Sequence, residues 1–121
     1  MWQRREVQAL PCGSDLRPKL EFFRSSIPAN AGYLFVLPGE FGTDSGIGPR
    51  LRYELYPRSY AEMRASEGET AIRQRIYTSG SAFIVVPDAT QYRPDSWLRQ
   101  PRDWLARINF DADSYVLAVL A

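Results

Sequence analysis

The chain contains no histidine, a single cysteine and a single lysine among its 121 residues. The lack of histidine excludes a histidine general base, serine–histidine and cysteine–histidine nucleophile pairs, and metal sites that use imidazole. One cysteine, Cys12, excludes an intrachain disulfide and a zinc site built from thiolates. These absences favour a protein that is non-catalytic, and no metal or other cofactor is expected.

A strong excess of one charge and a long hydrophobic run are also lacking. Fifteen basic and fourteen acidic residues give a net charge of +1, whereas a nucleic-acid-binding domain of this size carries a clear basic excess. No run of about 18 apolar residues occurs, so no helix is predicted to span a bilayer. At 45% hydrophobic content, residues 1–121 are predicted to form one globular domain, with residues 1–13 as an N-terminal arm.

Short apolar runs between turn residues predict the centre of a sheet. Residues 33–37 and 83–86 are both continuous and apolar, as expected of neighbouring strands that helices cover on both faces. Residues 16–27 carry an apolar stripe at helical spacing, and Pro28 is expected to end that helix. The two apolar runs should therefore lie side by side in one sheet.

Two helices are predicted between these strands. Residues 49–56 fit either a strand or a helix, and we favour a helix because parallel strands need a crossover connection. The spacing of Ser66 and Glu69 is that of a capping box, in which a serine and a glutamate cap the first turn of a helix. It predicts a helix over about 67–78, which Gly80 closes.

The predicted order of elements defines the fold class. A further strand is expected over 58–64, two short helical pieces over 94–98 and 101–106, and a hairpin that pairs 107–110 with 115–120. Helices and strands thus alternate along most of the chain. This alternation predicts an α/β fold, a small three-layer sandwich with a mostly parallel sheet of about four strands and an antiparallel strand at one edge.

The glycine-rich loop after the first predicted strand is the first candidate site. Ligands of open α/β sheets bind at the carboxyl ends of strands, and a glycine-rich turn that opens a helix exposes N–H groups to an anion. The glycine spacing matches neither the dinucleotide-binding fingerprint nor the P-loop, so a flexible connector is the alternative. The candidate ligand-binding residues are Gly39, Gly42, Asp44, Ser45, Arg50, Arg52 and Arg58.

Arginine and tyrosine interleave just beyond this loop. Arginine beside aromatic rings is typical of sites that bind single-stranded nucleic acid or sugar. The alternative is that the tyrosines lie at the rim of the core with their hydroxyls in water, as buried tyrosines commonly do. The residues concerned are Arg50, Arg52, Tyr53, Tyr56, Arg58 and Tyr60.

Aromatic residues also cluster near the end of the chain. Tyr92, Trp97 and Trp104 are candidates for an interface with a partner protein or a membrane surface. Packing over the sheet is the more common fate of tryptophan at such spacing, and we favour it. The nearby carboxylates Asp111 and Asp113 fall in a predicted turn, where aspartate serves local hydrogen bonding.

Four segments of the chain resemble a known type of domain. They are 27–36 (IPANAGYLFV), 52–58 (RYELYPR), 82–86 (AFIVV) and 115–117 (YVL). The chain resembles the small soluble α/β domain that follows the last membrane helices in some bacterial polytopic envelope membrane proteins, which are glycosyltransferase-like. The resemblance implies an extracytoplasmic, membrane-tethered domain that has no chemistry of its own, and it supplies no catalytic residues.

Two functions of different classes are therefore expected. The first is a non-catalytic accessory or interaction domain, a soluble part of a bacterial membrane or envelope-polysaccharide protein. Its partner would be the membrane-embedded part of the same protein or another protein. The alternative is a small anion-binding domain for a nucleotide or sugar phosphate, or a transferase-like domain, that uses the loop 39–52 and lies in the cytoplasm. Neither nucleic acid nor metal is an expected partner.

Overall fold

A computed structural model of the chain describes residues 11–37 and 47–120. The described helices are α1 (Pro11–Ser26), α2 (Ile47–Leu55) and α3 (Gly68–Ser79). The described strands are β1 (Gly32–Leu37), β2 (Ser59–Arg64), β3 (Ser81–Val86), β4 (Leu105–Asn109) and β5 (Tyr115–Val119). Single 3₁₀ turns lie at Ala65–Glu67, Ala89–Gln91 and Trp97–Arg99.

The five strands form one mixed sheet in the order β2-β1-β3-β5-β4. β1 pairs in parallel with β2 and β3, while β5 pairs antiparallel with β3 and β4. The α/β class is thus confirmed, and β1 and β3 are the adjacent inner strands that the sequence predicts. The prediction of a mostly parallel sheet of about four strands is wrong. The predicted antiparallel hairpin is confirmed as β4 and β5, which a short turn joins. Because β5 also pairs antiparallel with β3, only two of the four strand pairings in the described sheet are parallel.

The alternation of side chains along the strands divides the core between the two faces of the sheet. On one face, Tyr33, Val85 and Val116 pack with buried residues of α1 and α2. On the other face, Leu34 and Ile84 pack with buried residues of α3. The two faces differ because successive residues of a strand point to opposite sides. The inner strands are therefore covered by apolar packing on both faces.

Helix α1 begins earlier than the sequence indicates. Its first residues, Pro11–Gly13, fall in the segment that we predict to be an N-terminal arm. The apolar stripe is confirmed where the structure describes it, since Leu20, Phe23 and Ile27 are buried. The helix ends at Ser26, just ahead of Pro28, because the residue before a proline is disfavoured in helical conformation.

The capping box predicted at Ser66 and Glu69 does not form. Glu67 is the residue before α3, and no side chain caps this helix end among the described residues. The Glu69 carboxylate instead accepts hydrogen bonds from the Arg102 Nε and the Trp104 Nε1, at 3.0 Å each. The other end of α3 is as predicted, because Gly80 adopts the left-handed conformation with φ of 72°.

The segment between β3 and β4 differs most from its prediction. Only the 3₁₀ turn Trp97–Arg99 is helical within the first predicted piece, 94–98, and the second, 101–106, contains no helix. Leu105 already belongs to β4. The segment instead packs its side chains individually against the sheet, so Leu98 and Trp104 are buried without a regular helix around them. No helix in the described part of the chain is both long and apolar enough to cross a membrane.

Candidate functional site

A groove of about 900 Å³ lies beside helix α2 and strand β2. Its described lining comes from α1, the end of β1, α2 and β2. The lining residues are Arg24, Leu37, Pro49, Arg52, Tyr53, Glu54, Tyr56, Tyr60, Glu62 and Arg64. We call it the arginine–tyrosine groove. Leu37 and Arg64 are the last residues of β1 and β2, so the groove reaches the carboxyl ends of two parallel strands, where ligands of α/β sheets bind.

Strand β2 places three of the lining side chains on one face. Tyr60, Glu62 and Arg64 are two residues apart and therefore point to the same side of the sheet. Tyr60 is in register with Tyr33, and Arg64 is in register with Leu37. Because β2 is the edge strand of the described sheet, its side chains on this face have only one neighbouring strand to pack against.

Arg52, Tyr60 and Glu62 form a connected unit at the centre of the groove. The Arg52 guanidinium lies over the Tyr60 ring, 4.5 Å from the ring centroid. The Tyr60 hydroxyl donates a hydrogen bond to the Glu62 carboxylate. A cation over the face of an aromatic ring is attracted by the ring, and a guanidinium carries five N–H donors in its plane. The ring contact therefore restrains the exposed Arg52 side chain, which can offer donors to an anion.

Tyr60 and its neighbour Tyr33 stay protonated at physiological pH. Burial raises the pKa of Tyr60, and its hydrogen bond to Glu62 raises that pKa further. Tyr33 packs edge-on to Tyr60 at 5.5 Å between ring centroids. Burial raises the pKa of Tyr33 to about 12, although the Arg52 and Arg58 charges lower it. Neither hydroxyl is therefore suited to act as a base near neutral pH.

The Tyr33 hydroxyl is buried, and it has no hydrogen-bond partner among the described residues. A buried polar group without a partner loses its hydrogen bonds to water and gains nothing in return. The core beside Tyr60 therefore contains one group that destabilises the fold.

Arg58, a predicted ligand-binding residue, has a structural role. Its Nε donates to the Ile27 carbonyl at 2.7 Å, and its Nη2 donates to the Arg24 carbonyl at 3.0 Å. Its Nη1 also donates to the Leu55 carbonyl at 3.3 Å. The last carbonyls of a helix lack partners within the helix and attract a positive charge. Arg58 therefore caps the carboxyl ends of both α1 and α2, and its donors are directed to the backbone.

The groove gathers part of the predicted arginine–tyrosine cluster. Arg52, Tyr53, Tyr56 and Tyr60 line it, whereas Arg50 is exposed on α2 outside the described lining. The remaining predicted ligand residues, Gly39, Gly42, Asp44 and Ser45, lie outside the described residues.

Sequence reasoning missed Arg24, Glu62 and Arg64. The alternation of polar residues in β2 could have indicated that Glu62 and Arg64 share a face with Tyr60. No local pattern could have brought Arg24 to this site, because it belongs to a different helix and its position depends on tertiary packing.

The aromatic residues near the end of the chain are mostly buried. Tyr92 is 4% exposed and Trp104 is 6% exposed. Trp97 is half-buried and stacks on Trp104 at 5.9 Å between ring centroids. Because Tyr92 and Trp104 belong to the core, an interface in this region would be formed by Trp97. That interface stays a prediction.

Of the other carboxylates that the sequence singles out, Asp111 has a local role. Asp111 accepts a hydrogen bond from the Asp113 backbone N–H at 2.9 Å, as expected of a turn. Within residues 11–37 and 47–120, no group of three or more potential metal ligands comes together.

Comparison of the chain with protein-family models, with curated proteins and with solved structures found no match. Function is therefore inferred from the groove itself. The resemblance to domains of bacterial envelope membrane proteins stays a prediction.

Proposed function

We propose that the chain is a binding domain that takes up an anionic small molecule in the arginine–tyrosine groove. The observation that carries the proposal is the stacking of Arg52 on Tyr60 in a groove that Arg24 and Arg64 also line. A planar guanidinium forms two parallel hydrogen bonds with a carboxylate or a phosphate. A guanidinium already held by a ring loses less side-chain freedom when the ligand binds.

The proposal is one of binding, not catalysis. A general acid or base works best when its pKa is near the working pH. Burial moves the pKa of Tyr33 to about 12 and raises that of Tyr60 as well. The groove thus offers arginine side chains and ring surfaces, which serve recognition.

A second candidate is an interaction domain that binds another protein through the same surface. Tyr53 is 82% exposed and Tyr56 is 79% exposed at the rim of the groove. Tyrosine and arginine are the residue types enriched at the energetic centre of protein interfaces. This candidate agrees with the envelope-protein resemblance, in which the partner is the membrane-embedded part of the same protein or another protein.

Isothermal titration calorimetry tests the first candidate. The ligands are nucleotides, sugar phosphates and citrate, and the proteins are the wild type, Arg52→Ala and Arg75→Ala. Arg75 is the matched control because it is also exposed on a helix, α3, on the other face of the sheet. We expect Arg52→Ala to weaken binding about tenfold, the loss typical of one charge-assisted hydrogen-bonded pair, and Arg75→Ala to bind like the wild type.

The small-molecule proposal is ruled out if no ligand binds, or if Arg52→Ala and Arg75→Ala lose the same amount of affinity.

The interaction candidate is tested by crosslinking in the source cells from a photoreactive residue at position 53, with position 77 on α3 as the control. A crosslinked protein specific to position 53 supports it, and identical patterns from the two positions contradict it.

A further inference from the structure

We infer that the anion bound by the arginine–tyrosine groove is a nucleoside phosphate, with Glu62 accepting hydrogen bonds from its sugar hydroxyls. This inference rests on the proposed function and names its ligand class. Three features of the groove carry it: its mixed charge, the hydrogen-bonded carboxylate of Glu62, and its exposed rings.

The charge of the groove suits a small ligand with few negative charges. Its described lining contains three arginines and two glutamates, Glu54 and Glu62. A nucleic-acid strand carries one negative charge per nucleotide and is bound by a continuous basic surface. Two carboxylates beside the arginines weaken the attraction for a polyanion. They also disfavour a bare anion, unless the ligand itself brings hydrogen-bond donors to them.

Glu62 is oriented to accept hydrogen bonds from donors of this kind. The Tyr60 hydroxyl donates to its Oε1, which restricts the rotation of the carboxylate. An ionised carboxylate has about four acceptor positions, so Glu62 keeps acceptor capacity after this bond. Adjacent hydroxyls of a sugar are suitable donors, and a carboxylate that accepts from ribose hydroxyls is a common feature of nucleotide sites.

The exposed tyrosine rings provide a surface on which the base of the ligand can stack. Arg52 covers one face of Tyr60, so stacking of a ligand ring falls to Tyr53 and Tyr56, which are largely exposed. A nucleobase stacks on tyrosine with little dependence on which base it is. Phosphate on arginine, sugar on glutamate and base on tyrosine together describe a nucleoside phosphate.

The test is calorimetry with AMP and UMP, their 2′,3′-dideoxy analogues, and citrate. The proteins are the wild type, Glu62→Gln and Glu21→Gln; Glu21 is exposed on α1 outside the described lining. On the wild type and Glu21→Gln, we expect a ribonucleotide to bind about tenfold more tightly than its dideoxy analogue. On Glu62→Gln, that ratio should fall to about threefold, because a neutral amide oxygen is a weaker acceptor than a carboxylate.

A second pair of variants tests the stacking of the nucleobase on Tyr53. Tyr53→Ser should weaken nucleotide binding several-fold, while Tyr77→Ser, at an exposed tyrosine on α3, should bind nucleotides like the wild type. Circular dichroism melting of each variant shows that the fold is retained.

The outcomes separate this inference from the proposed function. Equal binding of ribo- and dideoxynucleotides, or binding of citrate alone, overturns the inference and leaves anion binding in place. Tighter, strongly salt-dependent binding of a single-stranded oligonucleotide than of AMP and UMP also overturns it. Absence of any binding overturns both the inference and the proposed function.

Discussion

Buried tyrosine hydroxyls have opposite effects on the fold according to their partners. The Tyr115 hydroxyl donates to the Leu98 carbonyl at 2.8 Å, and the Tyr92 hydroxyl donates to the Val36 carbonyl. The Tyr33 hydroxyl has no such partner within the described part of the chain. A buried hydroxyl that is paired stabilises the fold, whereas one without a partner destabilises it.

Substitution of tyrosine by phenylalanine should therefore change stability in opposite directions at two positions. Tyr33→Phe should raise the free energy of unfolding by about 1 kcal/mol, because it removes an unpaired buried group. Tyr115→Phe should lower it by about 1–2 kcal/mol, because it leaves the Leu98 carbonyl without its donor. Urea denaturation at pH 7 measures both changes, and destabilisation of equal size at both positions would contradict this account.

Tyr33 should also contribute to alkaline unfolding. Its pKa rises from an ordinary value of 10.0 to about 12, first of all because it is buried. The folded state thus keeps the proton more tightly than the unfolded state does. The resulting stability is complete below pH 10 and is lost as the pH rises towards 12.

We expect Tyr33→Phe to lose less stability than the wild type between pH 10 and pH 12. The measurement is urea denaturation at several pH values in this range. Parallel curves for the two proteins would show that Tyr33 ionises equally easily in both states.

At the scale of elements, two charged side chains join parts of the fold that are distant in sequence. Arg58 binds backbone carbonyls at the ends of α1 and α2. Glu69 of α3 binds Arg102 and Trp104, which precede β4. The first contact explains why the RYELYPR segment ends in arginine: a single guanidinium reaches two helix ends.

Arg58→Lys should be nearly as damaging as Arg58→Ala. A lysine has one nitrogen and cannot donate along three directions in a plane. We expect each variant to lose about 2–3 kcal/mol in the free energy of unfolding, with Arg50→Lys on the exposed surface of α2 as the control. Full rescue by lysine would show that charge alone matters at this position.

The Glu69 contact should be sensitive to acid. Burial alone would raise the pKa of the Glu69 carboxyl, but the hydrogen bonds from Trp104 and Arg102 and the nearby arginine charges lower it overall. A lowered pKa gives stability that is present above the ordinary value of 4.5 and is lost as the pH falls below it. The side chains of Arg102 and Glu69 are only 28% and 31% exposed, so solvent screens this pair less than a surface pair.

Glu69→Gln should therefore lower the free energy of unfolding by about 1–2 kcal/mol at pH 7, with a smaller difference from the wild type at pH 3. Asp95→Asn is the matched control, since its pair with Arg93 is exposed (71% and 85%) and should contribute nothing measurable. Urea denaturation at pH 7, 5 and 3 measures the effect. A difference that does not depend on pH would contradict the role of the carboxylate.

At the scale of the whole molecule, the parts that the sequence predicts are those with local signals. The apolar runs that became β1 and β3 are bounded by turn residues, and α1 has a clear apolar stripe. The segment 87–104 has no such signal, because Tyr92, Leu98 and Trp104 are held by contacts with distant strands rather than by a regular helix.

The arginine–tyrosine groove was likewise predictable only where its residues lie close together in the sequence. Arg52, Tyr53, Tyr56 and Tyr60 are close in sequence, so their grouping was visible there. The structural role of Arg58 was not visible, because its partners include carbonyls near the end of α1. Arg24 reaches the groove by the packing of α1 near α2, and no local pattern encodes that packing.

The topology predicts which amides exchange most slowly. β1 and β3 each pair with strands on both sides and are covered on both faces. We expect their amides to have the highest protection in hydrogen exchange, and those of the edge strands β2 and β4 to have lower protection. If the amides of β1 were protected no better than those of β2 and β4, the placement of β1 inside the sheet would be contradicted.

The central claim is that the arginine–tyrosine groove is where a ligand binds. Titration of the ¹⁵N-labelled protein with AMP, and separately with citrate, followed by two-dimensional ¹H–¹⁵N NMR, tests it most directly. The account predicts saturable shifts at Arg24, Arg52, Tyr60 and Glu62 with AMP, and none on the outer surface of α3. Shifts centred on α3 or Trp97, or no saturable shifts with either anion, would contradict it.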